Sequence, residues 1–166
     1  MVVKKLLDEF SEDVIRAFVQ KNADYYLAKW KVMTNSGSKI SWNWASFLFG
    51  GFWMVYRKMF LYFFIIFIVG FIISFIPLIN IILGLAMWIA FGILGNYGYA
   101  YFVYNKLNEL KIVAKNEDEL RQLALQKGGT SVLAAIILFV ILFGLEILFI
   151  ILMTLSGLSG GTSYYY

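Results

Sequence analysis

Glu146 is the side chain whose chemistry most needs explaining. It sits in the run Val132–Leu155, where every other residue is uncharged. An ionisable group held in hydrocarbon is expensive and is by default a functional candidate. No Lys or Arg occurs in that run, so a protonated carboxyl, able to donate a hydrogen bond, is the favoured form. Ser74 and the indole of Trp88 lie at comparable depth in neighbouring uncharged segments, and a second copy of the chain could also supply a partner. The chemical alternative is a proton- or cation-coupled path past Glu146, with Asn96 as a second polar group lining it.

The rest of the sequence narrows that chemistry sharply. The chain has no His and no Cys. Disulfides, thiolate sites, the commonest general base and most zinc, copper and haem ligation are excluded. Carboxylates gather at 8–13 and 117–119, but these read as helix starts, where acids suit the helix dipole. There is no phosphate-binding loop, no Gly-x-Ser-x-Gly and no His-Glu-x-x-His. The expectation is a non-enzyme with no catalytic residue, cofactor or metal site.

The elements that must position these groups follow from hydropathy and charge. Of 166 residues 61% are hydrophobic, and mean hydropathy is +0.78. Soluble domains are usually about 45–50% apolar, so the class is an all-α integral membrane protein. From Met59 to Tyr104 no residue is charged. A single helix over that stretch would be roughly 69 Å long, against a hydrocarbon core of about 30 Å. The chain must turn, and Pro77 and Asn80 are the breakers near the middle. Spans are expected at 59–78 and 81–103, joined by a tight outer turn, with a third at 131–155.

The remainder divides around these spans. Residues 1–40 read as an amphipathic cytoplasmic helical segment, with Leu7, Phe10, Val14 and Phe18 at helical spacing. Ser11, followed by Glu12 and Asp13, is a candidate N-cap. Phe18, Tyr25, Tyr26 and Trp30 are expected on its exposed surface, facing lipid, the rest of the domain or a partner. The membrane domain, 41–166, opens with 41–58, whose uncharged part is too short to span and reads as an interfacial or re-entrant element rich in aromatics (Trp42, Asn43, Trp44, Trp53 and Tyr56, closed by Arg57 and Lys58). The helical hairpin is 59–104. The cytoplasmic loop 105–130 carries a short helix at 117–127, with Asn116 and Glu119 as a capping box and Gly128-Gly129 as its stop. An outer tail, 156–166, ends in Tyr164–Tyr166, which could rest on the outer leaflet or support contacts between copies.

Charge gives orientation. All 14 Lys and Arg lie before Met59 or between Asn105 and Lys127. If 42–56 does not cross, every one falls on one side, which the positive-inside bias favours. The N-terminus is then cytoplasmic and the C-terminus outside, in a multi-pass protein of the plasma membrane. The net charge of +4 reflects topology and attraction to anionic lipid headgroups. Nucleic acid is not an expected partner, since Asp8, Glu9, Glu12, Asp13, Glu117, Asp118 and Glu119 break up any continuous basic face.

Ser41-Trp42-Asn43-Trp44-Ala45 and Phe47-Leu48-Phe49-Gly50, running into Phe52-Trp53-Met54-Val55-Tyr56-Arg57-Lys58-Met59, resemble a bacterial membrane family grouped as domain of unknown function 2628. Asp24-Tyr25-Tyr26, Gly95-Asn96-Tyr97 and Gly128-Gly129-Thr130-Ser131 fit the same order. The chain departs from that pattern at Gly51, where such proteins often have Pro. The resemblance implies a small bacterial inner-membrane protein and carries no activity, ligand or catalytic residue.

In the second span Gly84, Gly92, Gly95 and Gly98 share an arc of about 120°. Small residues on one face allow close helix approach. The face is expected to pack on the other two spans, or to form a seam between copies. Three functions remain in view. The leading one is a non-catalytic interaction or scaffold subunit; the others are a self-assembling channel or transporter-like unit using Glu146, and a homopolymeric membrane assembly.

Overall fold

A computed structural model describes residues 1–76 and 79–160, without the side chains of 79 and 157–160. Pro77 and Tyr164–Tyr166 therefore lie outside the described residues, which are helical with no strand. The chain divides into two compact units, Met1–Ser131 and Val132–Tyr166. The N-terminal segment shares its core with Trp53, Met54 and Met59, with residues between Tyr99 and Leu107, and with Leu120 and Ala124.

The first unit begins with three short helices, α1 (Val2–Glu9), α2 (Glu12–Val19) and α3 (Ala23–Ser36). Their ends are set by local chemistry. Ser11 Oγ accepts from the Val14 amide at 3.4 Å, and Glu12 and Asp13 occupy the first turn of α2. Such caps hold amides that would otherwise lack partners. Gly37, at φ +66°, closes α3 in the left-handed region that glycine enters without a steric penalty. Next come α4 (Trp44–Phe49) and α5 (Gly51–Tyr56), separated at Gly50, φ +46°. The interfacial element of the sequence is therefore two short helices with a sharp bend between them.

Helix α6 (Phe60–Ser74) follows, then α7 (Ile79–Val113). The 15 residues of α6 rise roughly 22 Å, less than the thickness of a bilayer core. At 35 residues, α7 is roughly 52 Å long and continues ten residues past the expected end of its span. Asn80 lies within its first turn rather than in a loop. The polar composition after Asn105 does not stop α7, because Leu107 is fully buried there against the N-terminal helices. Helix α8 (Glu117–Lys127) has the expected cap, with Asn116 Oδ1 accepting from the Glu119 amide at 2.9 Å; the return bond of the box is displaced by one residue, since Glu119 Oε2 accepts from the Lys115 amide at 2.8 Å. Beyond it, the Gly129 amide donates to Phe18 O at 2.7 Å and the Ser131 amide to Tyr56 O at 2.8 Å.

The core of this unit surrounds one half of α7. Leu6, Ile15, Phe18, Tyr26, Trp30 and Met33 from α1–α3 close over Tyr99, Ala100, Val103 and Leu107. Of the four aromatics expected on the surface, Phe18, Tyr26 and Trp30 are buried, and only Tyr25 is exposed. Tyr99 and Phe102 of α7 also belong to this core. The other half of α7 is different. Ile81, Ile82, Leu85 and Ile89 are exposed, and α6 has no buried residue.

The described part of the second unit is α9 (Val132–Gly160). Its side chains from Val132 to Ser156 include none that is buried, and before Thr154 it is apolar around its whole circumference save for Glu146. A helix apolar all round suits a protein core or a bilayer. Among the described residues two stretches are long and apolar enough to cross a membrane: one is α7 from Asn80 to Val113, and the other ends at Ser156 and has α9 as its apolar part. Exposed apolar faces of this extent on a chain segment mark contact with lipid or protein.

Candidate functional site

Of the polar groups that the sequence brings to notice, Asn96 of α7 is the one that gathers partners from several segments. Asn96 is fully buried, and its side chain gathers the chain segment that leads into α4. Its Oδ1 accepts from Asn43 Nδ2 at 2.9 Å. Its Nδ2 donates to Ser41 Oγ at 3.0 Å and Trp42 O at 3.2 Å, with Ser41 O and Tyr25 Oη both farther off at 3.4 Å. Its backbone carbonyl accepts from Trp30 Nε1 at 2.9 Å. One residue thus ties α3, the 41–43 segment and α7 together. Buried amides need such partners, since an unmade bond costs the desolvation of the group.

Asn43 completes the arrangement from the other side. Its Oδ1 accepts from the Ser46 amide at 3.0 Å and so caps α4. Its own amide donates to Gly92 O at 2.8 Å, and the Ser41 amide donates to Ile93 O at 3.0 Å. The segment lies flat on α7 because α7 has glycine where it crosses. A Cβ on Gly92 would come within 2.9 Å of the Trp42 ring, and one on Gly95 within 2.5 Å of Ser46 Oγ. The glycine face is therefore split. Gly92 and Gly95 receive the Trp42–Ser46 segment rather than another span, while a Cβ on Gly84 or Gly98 would meet nothing within 4 Å.

The aromatic residues of the same segment form a cluster. Phe47 stacks on Trp88 at 4.7 Å and lies 5.0 Å from Trp42, which meets Trp44 edge-on at 5.3 Å. Trp88 Nε1 donates to Phe47 O at 2.6 Å, and Ser74 Oγ donates to Phe71 O at 2.6 Å within its own helix. Both donors proposed for Glu146 are engaged elsewhere. Glu146 itself is exposed on α9, with Leu142, Phe143, Phe149 and Ile150 one turn away on either side.

Arg57 departs furthest from expectation. Read from sequence as a juxtamembrane cation available to lipid, it is 2% exposed. Its Nη1 donates to Val19 O at 3.3 Å and its Nη2 to Lys21 O at 3.0 Å, so the guanidinium caps the C-terminal end of α2. A cation there is favoured by the helix dipole. The rings of Tyr26, Tyr99 and Tyr56 surround it at 4.6, 5.0 and 5.6 Å. Among the described residues no carboxylate pairs with it, and Nε is covered without a hydrogen bond. Cation–π attraction from the three rings therefore stands in for an ion pair. Lys58, with φ +60°, donates to Gly128 O. Trp53 is buried, and Tyr56 is half-buried beside Arg57.

Sequence reasoning missed Trp30, Ser41, Tyr26 and Tyr99 as partners of these groups. No local signal identifies them, because Tyr26 and Trp30 arrive from α3, Ser41 from the segment before α4 and Tyr99 from α7, all distant in sequence from the groups they meet or, for Tyr99, from Arg57. Among the described residues no cluster of acidic side chains could hold a metal ion. No family model, curated protein or solved structure matches this chain.

Proposed function

We propose that this chain is a small, multi-pass bacterial inner-membrane protein that acts as a non-catalytic interaction or scaffold subunit. Its helical N-terminal unit stands on the cytoplasmic face, and its C-terminus lies outside. One observation carries the reading: α7 is a single helix whose first half exposes apolar side chains and whose second half is the centre of a closed polar and aromatic core. A continuous helix of this kind couples a bilayer segment rigidly to a folded cap. In this reading the spans are α6 with the turn that follows it, the apolar part of α7, and α9, while α4 and α5 lie at the interface. The uncharged character of Met59–Tyr104 and the one-sided distribution of all Lys and Arg support the orientation. The likeness of Ser41–Met59 to the family of unknown function 2628 points to the same class. The polar groups of the cap are spent on one another, which suits a scaffold; a wet path past Asn96 finds no support in its full burial.

The chain contains no Cys, so single-cysteine variants report sidedness directly. In intact cells Ser156→Cys should react with an impermeant maleimide, and Lys111→Cys should react only after the membrane is opened. Labelling of both from the same side would sink the orientation. A chain that stays monodisperse in buffer without detergent would sink the membrane reading altogether.

A further inference from the structure

The α6–α7 hairpin is furrowed along its length, and the furrow changes character at Tyr62. On one side of that ring, Met59, Ile66 and Val69 face Met87, Leu94 and Gly98 around a cavity of about 490 Å³, floored by Trp53 and Met54 of α5. This volume falls within the roughly 300–1,000 Å³ of small-molecule sites. From Met59 to Val69 the helical rise is roughly 15 Å, half of a hydrocarbon core of about 30 Å and so the depth of one leaflet. Gly98 supplies width, since a Cβ there would meet nothing within 4 Å.

On the other side of Tyr62, Lys58, Asn105, Lys106 and Asn108 surround a second cavity of about 600 Å³, with Glu109 its one carboxylate. Lys106 Nζ lies 2.6 Å from Glu109, whereas among the described residues Lys58 has only the carbonyl of Gly128. The charge of this end is therefore positive. Leu94, Gly98, Tyr101 and Asn105 lie on successive turns of one α7 face, so the two cavities follow a single groove.

We propose that this furrow holds one anionic phospholipid, its acyl chain along Met59–Val69 and its phosphate beside Lys58 and Lys106. The inference rests on the membrane reading above and deepens it. Complementarity at both ends selects this occupant. An apolar helix from a second copy would fill the deep half and leave the lysine–asparagine end unmatched. A lipid without net charge would match the deep half alone. An apolar chain that ends in an anion matches both.

The full chain in neutral detergent, titrated with phosphatidylglycerol and with phosphatidylcholine and read by native mass spectrometry, tests this. One phosphatidylglycerol should bind per chain, ahead of phosphatidylcholine. Lys106→Gln should weaken phosphatidylglycerol about fivefold and leave phosphatidylcholine unchanged. Gly98→Leu fills open space on a helix and should leave the melting temperature equal or higher. By denying burial to two or more methylenes it should weaken both lipids about tenfold. Equal binding of the two lipids by the unmodified chain would overturn the proposal, as would a Gly98→Leu variant with unaltered affinity. Crosslinking of Gly98→Cys between copies in native membranes would assign the furrow to a second chain and overturn it too. Each of these results leaves the membrane reading intact, whereas solubility without detergent would remove both.

Discussion

The side-chain amide of Asn43 donates to the side-chain carbonyl of Asn96 across 2.9 Å, with both residues closed off from solvent. This bond fixes where the chain leaves α3 and enters α4. Asn96→Leu would strand the Asn43 amide and the Trp42 carbonyl, so we expect a loss of about 2–3 kcal/mol. Asn43→Leu should cost a similar amount and also remove the cap of α4. The double variant should recover at least about 0.5 kcal/mol relative to the sum, because neither partner is then left unpaired. Denaturant unfolding of the four proteins in detergent gives the coupling, and strict additivity would show that the bond contributes nothing.

Arg57 yields the second expectation. Replacing it with Ala exposes the carbonyls of Val19 and Lys21 to a buried site without a donor and removes the cation from three tyrosine rings. A destabilisation of about 3 kcal/mol or more should follow. Arg57→Lys keeps the charge but loses the planar fork that reaches two carbonyls, so it should restore less than half of that loss. Equal stability of the Lys variant and the parent would mean that charge alone matters here.

These two residues also mark the limit of what the sequence discloses. Caps were legible because their chemistry is local: Ser11 to Val14 and Asn116 to Glu119 each involve residues within one helical turn. The polar character of Asn96 within an uncharged run was legible too. Its partners were not, since no periodicity links residue 43 to residue 96. Arg57 next to an apolar run has the pattern of a lipid-facing anchor, and only the arrival of Tyr26 and Tyr99 from other helices buries it. The extension of α7 beyond Tyr104 was hidden for the same reason: Leu107 stands in a polar stretch, and its value lies in a tertiary contact.

A modest acid sensitivity should be traceable to Glu12. The hydrogen bond from Lys31, aided by the charges of Lys31 and Arg16, holds its carboxyl below the ordinary value of 4.5. A carboxylate with a lowered folded-state pKa stabilises above its unfolded value, and that contribution fades as pH falls through the folded value. Because these groups are exposed, the effect is small and screened by salt. Glu12→Gln should flatten the fall in stability of the first unit below about pH 4.5, most visibly at low ionic strength, and should change nothing at pH 7 beyond the loss of the pair. An identical acid limb in the variant would place the sensitivity elsewhere.

The glycines of α7 separate two accounts of the same stripe. If Gly84, Gly92, Gly95 and Gly98 formed one seam between helices, alanine at each should be harmful. The geometry divides them instead. At Gly95 the added methyl would press on Ser46, a fully buried residue at the foot of α4, and the docked segment would have to lift. We expect Gly95→Ala to cost about 1–3 kcal/mol, in the range of an overpacked core. At Gly84 the methyl meets open space, so the gain in helix propensity of up to about 1 kcal/mol should dominate and the variant should be as stable as the parent or more so. Unfolding midpoints compare the pair directly. Gly84→Ala destabilising the protein as much as Gly95→Ala, or abolishing crosslinks between copies, would restore the seam and move the function toward self-assembly. The opposite signs expected here leave Gly92 and Gly95 as the bed on which Asn43 reaches Asn96.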